Sequence, residues 1–389
     1  MNLLTIASIL PITNTCHYND YVLRYVKYIG INYQIKTSII KPVLYSNKIL
    51  GLISKKWKRY SELTELKSID DNIYLLPYLS IRKYTFIHSI LSISLYLLNI
   101  RKINNIVYKD KPDIIHCHFL FPDSVLALFL KYKFNIPYII TLQSEYKYFH
   151  GKISCFISRI ILNNAFQITT VNCKMYQQLY KEGYKKSKLI PIGLDKKFLK
   201  FNRVVWPDNN VIRIITIGSL IKLKNIDKVL LALNNLWQYK FEYTIVGNGI
   251  EKEHLYKIVQ NSKIINKVTF IDSIPYSNIP QILSKNDLFV LISYPESFGR
   301  VYFESMAVGL PIICAKDSGA YGYFSDWVEG VSVNHDNQDE LIKVLLRFFN
   351  NPELINILGK NAKRLSYKYT LNEVVNSYFK IYNKATERI

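Results

Sequence analysis

Residues 295–311 read PESFGRVYFESMAVGLP, and this segment decides the fold of the 389-residue chain. Apolar runs at 288–292 and 311–315 flank it, as expected of buried parallel strands, and the stretch between them predicts a helix. In such a unit the helix begins at the carboxyl edge of a parallel sheet, where doubly wound α/β proteins bind their ligands. Glu296 precedes the helix and Glu304 lies within it. The segment therefore predicts a ligand site that suits a sugar phosphate.

The same alternation of apolar runs and helical stretches extends in both directions along the chain. Buried strands are predicted, in order, at 3–10, 35–40, 114–118, 138–142, 167–171, 188–191, 211–217, 241–246 and 267–271. Helices with apolar residues at helical spacing are predicted between them, for example at 18–28, 123–132, 225–237 and 252–261. Two successive runs of this alternation predict an α/β protein with two Rossmann-like domains, which we expect to face each other across a cleft.

A lapse in the alternation separates the two runs. At 200–210, proline, tryptophan and asparagine replace the apolar pattern, which predicts a linker. We therefore expect an N-terminal domain at 1–200, which the family resemblance given below assigns to the acceptor, and a C-terminal, ligand-binding domain at 201–370. The helical pattern at 371–389 has no strand after it, and we expect this helix to cross back and pack on the N-terminal domain.

Composition places the protein among globular proteins, with 49% hydrophobic and 21% charged residues. The five cysteines form no C-x-x-C pair, so neither a disulfide framework nor a zinc site is indicated, and a reducing compartment fits. The first ten residues lack a basic n-region and are expected to form a strand. The longest uncharged stretch, 84–100, has 17 residues. A spanning helix needs roughly 20, so this stretch predicts a packed or interfacial helix.

Positive charge is concentrated in the first half of the chain. The formal net charge is +22, and residues 1–200 carry 29 Lys and Arg against 11 Asp and Glu, whereas residues 201–389 carry 22 against 18. A basic half favours an anionic partner such as a membrane surface, a lipid diphosphate or nucleic acid. The sequence KKWKRY at 55–60 interleaves basic and aromatic residues, which suits either a solvated loop or docking to an anionic membrane. We expect a cytoplasmic protein, peripheral on the inner face of the membrane.

Two glycine turns follow strands of the second half. Gly218 and Ser219 end one strand and lead to Lys222 and Lys224 before a predicted helix, and Gly247 ends the next strand. Backbone N–H groups at a helix N-terminus, with lysines alongside, suit a diphosphate. A solvated lysine loop and a plain αβ turn are the alternatives.

The two glutamates of the opening segment predict contacts to the rest of such a ligand. Glu304 can accept hydrogen bonds from both ribose hydroxyls of a nucleotide, and Glu296 can touch a sugar. The residues between them offer main-chain donors to phosphate and sugar oxygens: Ser297, Phe298, Gly299, Arg300 and Val301. Gly299 has no side chain and would let a ligand approach the backbone. The alternative is a capping carboxylate followed by a solvated helix glutamate.

Together these motifs resemble the retaining nucleotide-sugar glycosyltransferases of glycosyltransferase family 4, which have the GT-B fold. Glu296 and Glu304 have the spacing of the family's E-x7-E signature, and the segment from Gly218 to Lys224 resembles its diphosphate element. The resemblance implies that Glu296 contacts the donor sugar and supports the developing charge, that Glu304 holds the ribose and that Lys224 holds the diphosphate. It implies a UDP- or GDP-sugar donor, no cofactor and no metal.

The first half resembles the family more loosely. His116 and His118 lie in PDIIHCH, which is similar to the family's D-x-x-H-x-H strand, and we assign them to the acceptor side or to packing. Gln143 stands where a histidine often lies near the donor sugar; it is a candidate catalytic residue that can hydrogen-bond but not titrate. Ser219 stands in place of an arginine, and TNTCH at 13–17 replaces the expected glycine-rich loop.

These features predict a retaining glycosyltransferase that moves a hexose from a nucleoside-diphosphate sugar to a lipid-linked or growing surface glycan. A nucleotide-sugar epimerase of the same fold would act without an acceptor. A catalytically degenerate, transferase-like binding protein would also fit Ser219 and Gln143. A nucleic-acid-binding protein fits only the charge, and the chain lacks a recognition motif for that role.

Overall fold

The computed structural model describes residues 1–10, 21–45, 68–70, 72–81, 84–143, 151–204 and 211–387. The sequence features at 13–17 and 55–60 and most of the expected linker, 205–210, lie outside these residues. The chain divides into two compact units. The first unit comprises Met1–Val171, Met175–Ile190 and Val375–Ile389, and the second unit comprises Asn172–Lys174 and Pro191–Val374.

The described strands of the first unit form one sheet. They are β1 (Asn2–Ile6), β2 (Lys36–Leu44), β3 (Ser68–Asp70), β4 (Ile73–Tyr78), β5 (Ile114–Cys117), β6 (Tyr138–Leu142), β7 (Gln167–Thr170) and β8 (Lys188–Leu189). Their order is β3-β4-β2-β1-β5-β6-β7-β8, and each neighbouring pair is parallel except β3 with β4. All residues of β5 and β6 are buried, as central strands of a parallel sheet must be when helices cover both faces.

Helices alternate with these strands. They are α1 (Tyr21–Tyr33), α2 (Thr85–Leu91), α3 (Ser94–Leu97), α4 (Ile100–Asp110), α5 (Val125–Phe134), α6 (Lys152–Asn164) and α7 (Cys173–Lys181). One hydrophobic core connects the sheet with α3, α4, α5 and α6 through residues such as Leu95, Ile103, Leu130 and Ile161.

Residues 84–100 form two short helices, α2 and α3, rather than one helix. Ser92 Oγ donates to the His88 carbonyl at 2.7 Å, and Asn99 Nδ2 donates to the Leu95 carbonyl at 2.9 Å. Such local bonds from side chain to backbone compete with continuation of a helix. Within the described ranges no single helix is long and apolar enough to cross a membrane, although the bent pair Thr85–Leu97 and Ile100–Asp110, at 64°, satisfies length and composition together.

The second unit has its own parallel sheet. Its described strands are β9 (Ile212–Ile217), β10 (Phe241–Val246), β11 (Val268–Ile271), β12 (Leu288–Leu291), β13 (Ile312–Ala315) and β14 (Gly330–Val333). They lie in the order β11-β10-β9-β12-β13-β14, all parallel. The helices are α8 (Ile226–Asn235), α9 (Lys252–Gln260), α10 (Ile279–Ser284), α11 (Arg300–Val308), α12 (Gln338–Asn350), α13 (Glu353–Ser366) and α14 (Leu371–Thr386).

The described start of the expected linker is fixed to the second unit. Arg203 is paired with buried Asp287 at 2.6 Å, and its backbone N–H donates to the Val308 carbonyl at 2.8 Å. Lys363 Nζ donates to the Phe201 carbonyl at 2.5 Å. These contacts attach residues 201–203 to the second unit, and the division between the units lies earlier, at Ile190 and Pro191. The domain limits at 1–200, 201–370 and 371–389 stay predictions.

The last helix belongs to both units. The second unit ends at Val374, within α14, and the rest of the helix is part of the first unit. There the hydroxyl groups of Tyr382 and Tyr25 lie 2.5 Å apart, and that of Tyr378 lies 2.9 Å from Thr141 Oγ1. The end of α14 is therefore bonded to strand β6 and helix α1 through buried tyrosines.

Candidate functional site

Two glycine turns lie side by side at the carboxyl edge of the second sheet. The Gly218 N–H donates to the Val246 carbonyl at 3.0 Å, and the Leu220 N–H donates to the Asn248 carbonyl at 2.9 Å. Gly247 has φ +146°, and a Cβ there would overlap the carbonyl oxygen of Gly218. The glycine at 247 is thus required by the approach of two backbones, a packing reason that the sequence alone did not reveal.

Helices α8 and α11 begin at this edge without a side-chain cap. Asn225 and Gly299, the residues before them, have φ +50° and +69°. The Asn225 side chain does not cap α8, and glycine has no side chain that could cap α11. The first amide groups of a helix have no partner within it, and with the helix dipole they attract anions. A Cβ at Gly299 would overlap the ring of Tyr302. Both turns therefore present backbone donors where the sequence predicts a diphosphate and a sugar.

Lys224 and Glu296 form an ion pair between the two turns. Lys224 Nζ contacts Glu296 Oε2, and each side chain is 18% exposed. The lysine lies in a short 3-10 turn, Lys222–Lys224, just before α8. The glutamate follows β12, the strand next to β9 in the sheet. The sheet order thus brings together two predicted site residues that are 72 positions apart in the chain.

Three further contacts hold Glu296 in place. Ser293 Oγ lies 3.1 Å from Glu296 Oε2, and the Glu296 N–H donates to Ser318 Oγ at 2.7 Å. The Gly319 N–H donates to the Glu296 carbonyl at 3.1 Å. Among the described residues, the second carboxylate oxygen, Oε1, has no hydrogen-bond partner. A fixed carboxylate with one unengaged oxygen can accept a hydrogen bond from a ligand hydroxyl.

Asn172 is a residue of this site that sequence reasoning missed. Its Nδ2 donates to the Ser297 carbonyl at 2.6 Å and to the Glu296 carbonyl at 3.3 Å. Although it precedes α7, it belongs to the second unit together with Cys173 and Lys174. Nothing in its local sequence indicates this contact, because the partners lie more than 120 positions away.

Glu304 is buried in α11 and is bonded to a second residue that the sequence did not indicate. The Tyr276 hydroxyl donates to Glu304 Oε1 at 2.9 Å. Lys197 Nζ lies 3.7 Å from the centre of the Tyr276 ring, and the Arg300 guanidinium lies 5.7 Å from it. Tyr276 thus fixes one carboxylate oxygen while two cations contact its ring. The only sign of this contact in the sequence was that a tyrosine lies in the loop after β11.

The other predicted donor residues occupy distinct positions. Phe298 is buried and stacks on Phe303 with ring centres 4.3 Å apart, so its side chain belongs to the core. Ser297, Arg300 and Val301 are half-buried, whereas Ser219 and Lys222 are exposed. Among the described residues, no group of three His, Cys, Asp or Glu side chains could hold a metal ion.

In the first unit, His116 is part of a buried network of hydroxyl groups. Its Nδ1 lies 2.6 Å from the Tyr382 hydroxyl and its Nε2 lies 2.7 Å from Thr141 Oγ1. Burial, together with the neighbouring His118, holds the pKa of His116 well below its usual value. Both ring nitrogens are engaged by protein, which supports the packing alternative for this residue.

His118 and Gln143 follow β5 and β6 at the carboxyl edge of the first sheet. Among the described residues, neither nitrogen of the buried His118 ring has a hydrogen-bond partner, and burial lowers its pKa to about 3. Its ring centre is 4.4 Å from that of His116. Gln143 is also buried, and its Nε2 donates to the Tyr21 hydroxyl at 2.7 Å. The predicted site residues at this edge are therefore buried.

A parallel Rossmann-like unit with a Lys–Glu pair and two uncapped helices at its sheet edge is the arrangement that the sequence predicts for a nucleotide-sugar site. Two family models match the chain: "Glycosyltransferase Family 4" over residues 65–198 and "Glycosyl transferases group 1" over residues 200–365. The chain belongs to this family, glycosyltransferase group 1 or family 4, as the E-x7-E segment predicted.

Curated relatives are similar over most of the chain. An uncharacterized glycosyltransferase of Methanocaldococcus jannaschii is 26% identical over 75% of this chain and 81% of its own length. The alpha-monoglucosyldiacylglycerol synthase of Acholeplasma laidlawii is 27% identical over 66% of this chain and 71% of its own length.

Solved structures confirm the GT-B fold expected from the sequence. Sucrose-phosphate synthase from Thermosynechococcus elongatus superimposes with a TM-score of 0.75 at 16% identity, covering 100% of both chains. Anabaena HepE in complex with UDP-glucose superimposes with a TM-score of 0.66 at 14% identity, covering 99% of this chain and 100% of HepE. At these identities the likeness concerns the fold alone.

Proposed function

We propose that the protein transfers a hexose, with retention, from a UDP- or GDP-sugar to a lipid-linked or growing surface glycan at the inner face of the membrane. The observation that carries the proposal is the Lys224–Glu296 pair, whose two residues precede the uncapped helices α8 and α11 at the sheet edge. Glu304, held by Tyr276, supplies the ribose contact. Names of related proteins add support, because one relative is a glycolipid synthase and one structural neighbour binds UDP-glucose.

The charges of the site suit a departing diphosphate. In the absence of donor, Lys224 is paired with Glu296. A bound diphosphate would share this lysine and accept the amide hydrogens at the start of α8. Fixed charges and dipoles of this kind stabilise charge that develops as the bond to the sugar breaks. They make a metal-independent reaction our expectation, and full activity in excess EDTA would agree with it.

Glu296→Gln is the sharpest test of the catalytic proposal. The variant keeps the size and the hydrogen-bonding shape of the side chain but removes its charge, so transfer should fall by about 100-fold or more while the melting temperature changes little. Glu340→Gln is the matched control, because Glu340 also pairs with a lysine of the second unit, Lys316, at 2.7 Å. Wild-type activity in Glu296→Gln would refute the proposal.

A donor screen precedes that assay. UDP- and GDP-sugars should raise the melting temperature of the wild-type protein, since a ligand that binds only the folded state stabilises it. The same donor incubated without acceptor distinguishes the alternatives. Release of an epimeric sugar would indicate an epimerase, and binding without turnover under all acceptors would indicate a degenerate transferase.

A further inference from the structure

Helix α6 presents a partly inverted pattern of polar and apolar residues. It buries Ser154 and Ser158 besides Ile161 and Leu162, and it exposes Ile153, Phe156 and Ile160, with 66% of Phe156 exposed. A helix that faces water normally shows the reverse pattern, with apolar residues inside and polar residues outside. Helix α12 of the same chain follows that rule, since it buries only leucine, valine and phenylalanine.

Helix α2 repeats the inversion and packs against α6. It buries His88 and Ser89 and exposes Phe86 and Ile90. Tyr84, the residue before this helix, is also exposed. The apolar face consists of six exposed side chains, which lie on α2, on the residue before α2 and on α6: Tyr84, Phe86, Ile90, Ile153, Phe156 and Ile160. Two adjacent helices with the same inversion indicate a surface built to be covered.

The two helices that form the apolar face carry positive charge only. Neither α2 nor α6 contains Asp or Glu. Their charged side chains are Lys152 and Arg159, both on α6. Of these, Arg159 is 3.6 Å from Glu182, the residue that follows α7. An apolar surface bordered by cations is complementary to a bilayer with anionic headgroups, where apolar side chains enter the acyl boundary and cations contact lipid phosphate.

We propose that the apolar face docks the first unit on an anionic lipid bilayer, with Phe86, Phe156 and their isoleucine neighbours inserted at headgroup depth. This inference rests on the proposed transfer to a membrane-bound acceptor, and it names the surface that meets the membrane. Phenylalanine and isoleucine at this depth provide binding that salt does not screen, and Lys152 and Arg159 provide binding that salt weakens.

Vesicle sedimentation tests the proposal with the full chain. The probes are vesicles of phosphatidylcholine alone and of two parts phosphatidylcholine to one part phosphatidylglycerol. We expect the wild-type protein to bind the anionic vesicles and Ile153→Ser/Phe156→Ser to bind them at least about tenfold more weakly. The matched control is Leu231→Ser/Ile357→Ser, which removes two side chains of similar exposure from α8 and α13 of the second unit and should bind like the wild type.

Two further readouts locate the contact. A Phe156→Trp variant should be quenched by brominated lipid, whereas Ile357→Trp should not. Lys152→Gln/Arg159→Gln should weaken binding to anionic vesicles and leave the residual binding to neutral vesicles unchanged. Equal losses in both serine variants, or a concentration-dependent dimer that only Ile153→Ser/Phe156→Ser abolishes while vesicle binding persists, would overturn the proposal.

Donor binding separates this inference from the proposed function. Ile153→Ser/Phe156→Ser should keep the wild-type rise in melting temperature with the sugar nucleotide, because the apolar face is in the first unit and the donor residues are in the second. Loss of vesicle binding with retained donor binding supports docking alone. Retained vesicle binding with no response to any sugar nucleotide would leave docking intact and remove the proposed function.

Discussion

The two sheet edges of this protein differ in the polar groups that they carry. In the second unit, Lys224 and Glu296 are charged and 18% exposed. In the first unit, His116 and His118 are 0% and 5% exposed, and burial depresses the pKa of each ring. Charged groups that keep solvent access can exchange partners with a ligand, whereas a buried ring with two protein partners, such as His116, mainly holds the structure together.

The same fold thus uses strand ends in two ways. The second unit leaves the N-termini of α8 and α11 uncapped beside an ion pair. Uncapped helix amides lower the stability of the fold, but they can bind an anionic ligand. The first unit bonds its strand ends to Tyr378 and Tyr382 of α14. We therefore expect changes at the second edge to reduce activity more than stability and changes in the first network to do the opposite.

Lys224→Met should have the largest effect. It removes the cation of the pair and leaves Glu296 with only its serine contact, so we expect kcat/KM to fall by a factor of about 100–1,000, or about 3–4 kcal/mol of transition-state stabilisation. Steady-state transfer from a UDP- or GDP-sugar measures the loss. Lys316→Met, which breaks the Lys316–Glu340 pair, is the control, and an equal loss in both variants would contradict the distinction between the two edges.

Gly299→Ala should have the next largest effect, and on stability. Alanine at φ +69° is strained and its Cβ would overlap the Tyr302 ring, so we expect a loss of about 2–4 kcal/mol. Gly218→Ala is the matched comparison, because the nearest atom to its Cβ, Lys224 Cε, is 3.8 Å away. Denaturant unfolding should show little change for Gly218→Ala, while its added methyl group weakens donor binding.

The sequence predicted those features of the two units that depend on residues close together in the chain. The apolar strands and the spacing of Glu296 and Glu304 predicted the fold class and the family, because buried parallel strands are continuous apolar runs. Asn172 and Tyr276 could not be found in this way, since their partners are distant in the chain. Strands β3, β4 and β14 and helices α4, α6, α7, α12 and α13 were not predicted individually.

The role of Gly247 was also invisible from its motif. A G-x-G motif indicates a tight backbone turn. Only the structure shows that the group packed against Gly247 is the carbonyl of Gly218 rather than a ligand. Likewise, the alternation of His116 and His118 on a strand did not show that the His116 ring has two hydrogen-bond partners while the His118 ring has none among the described residues.

Tyr382→Phe tests the structural role of the first network. The hydroxyl lies 2.6 Å from His116 Nδ1 and 2.5 Å from the Tyr25 hydroxyl, so its removal leaves buried polar atoms without a partner and should cost about 2 kcal/mol. Tyr367→Phe, at an exposed tyrosine of the second unit, should change stability by less than about 0.5 kcal/mol. The response of the melting temperature to a sugar nucleotide should persist in both variants. A Tyr382→Phe protein as stable as the wild type would show that the network is dispensable.

The smallest effect is the pH dependence that His118 imposes. Its pKa falls from 6.5 in the unfolded chain to about 3 in the fold, so between these values the unfolded state binds the extra proton. Stability from this group is complete above pH 6.5 and is lost as the pH falls toward 3. Unfolding experiments at about pH 7.5 and about pH 5.5 should therefore differ by about 1.4 kcal/mol through His118. In His118→Gln that part of the difference should disappear, whereas an unchanged pH dependence would mean that the ring is protonated in the folded protein.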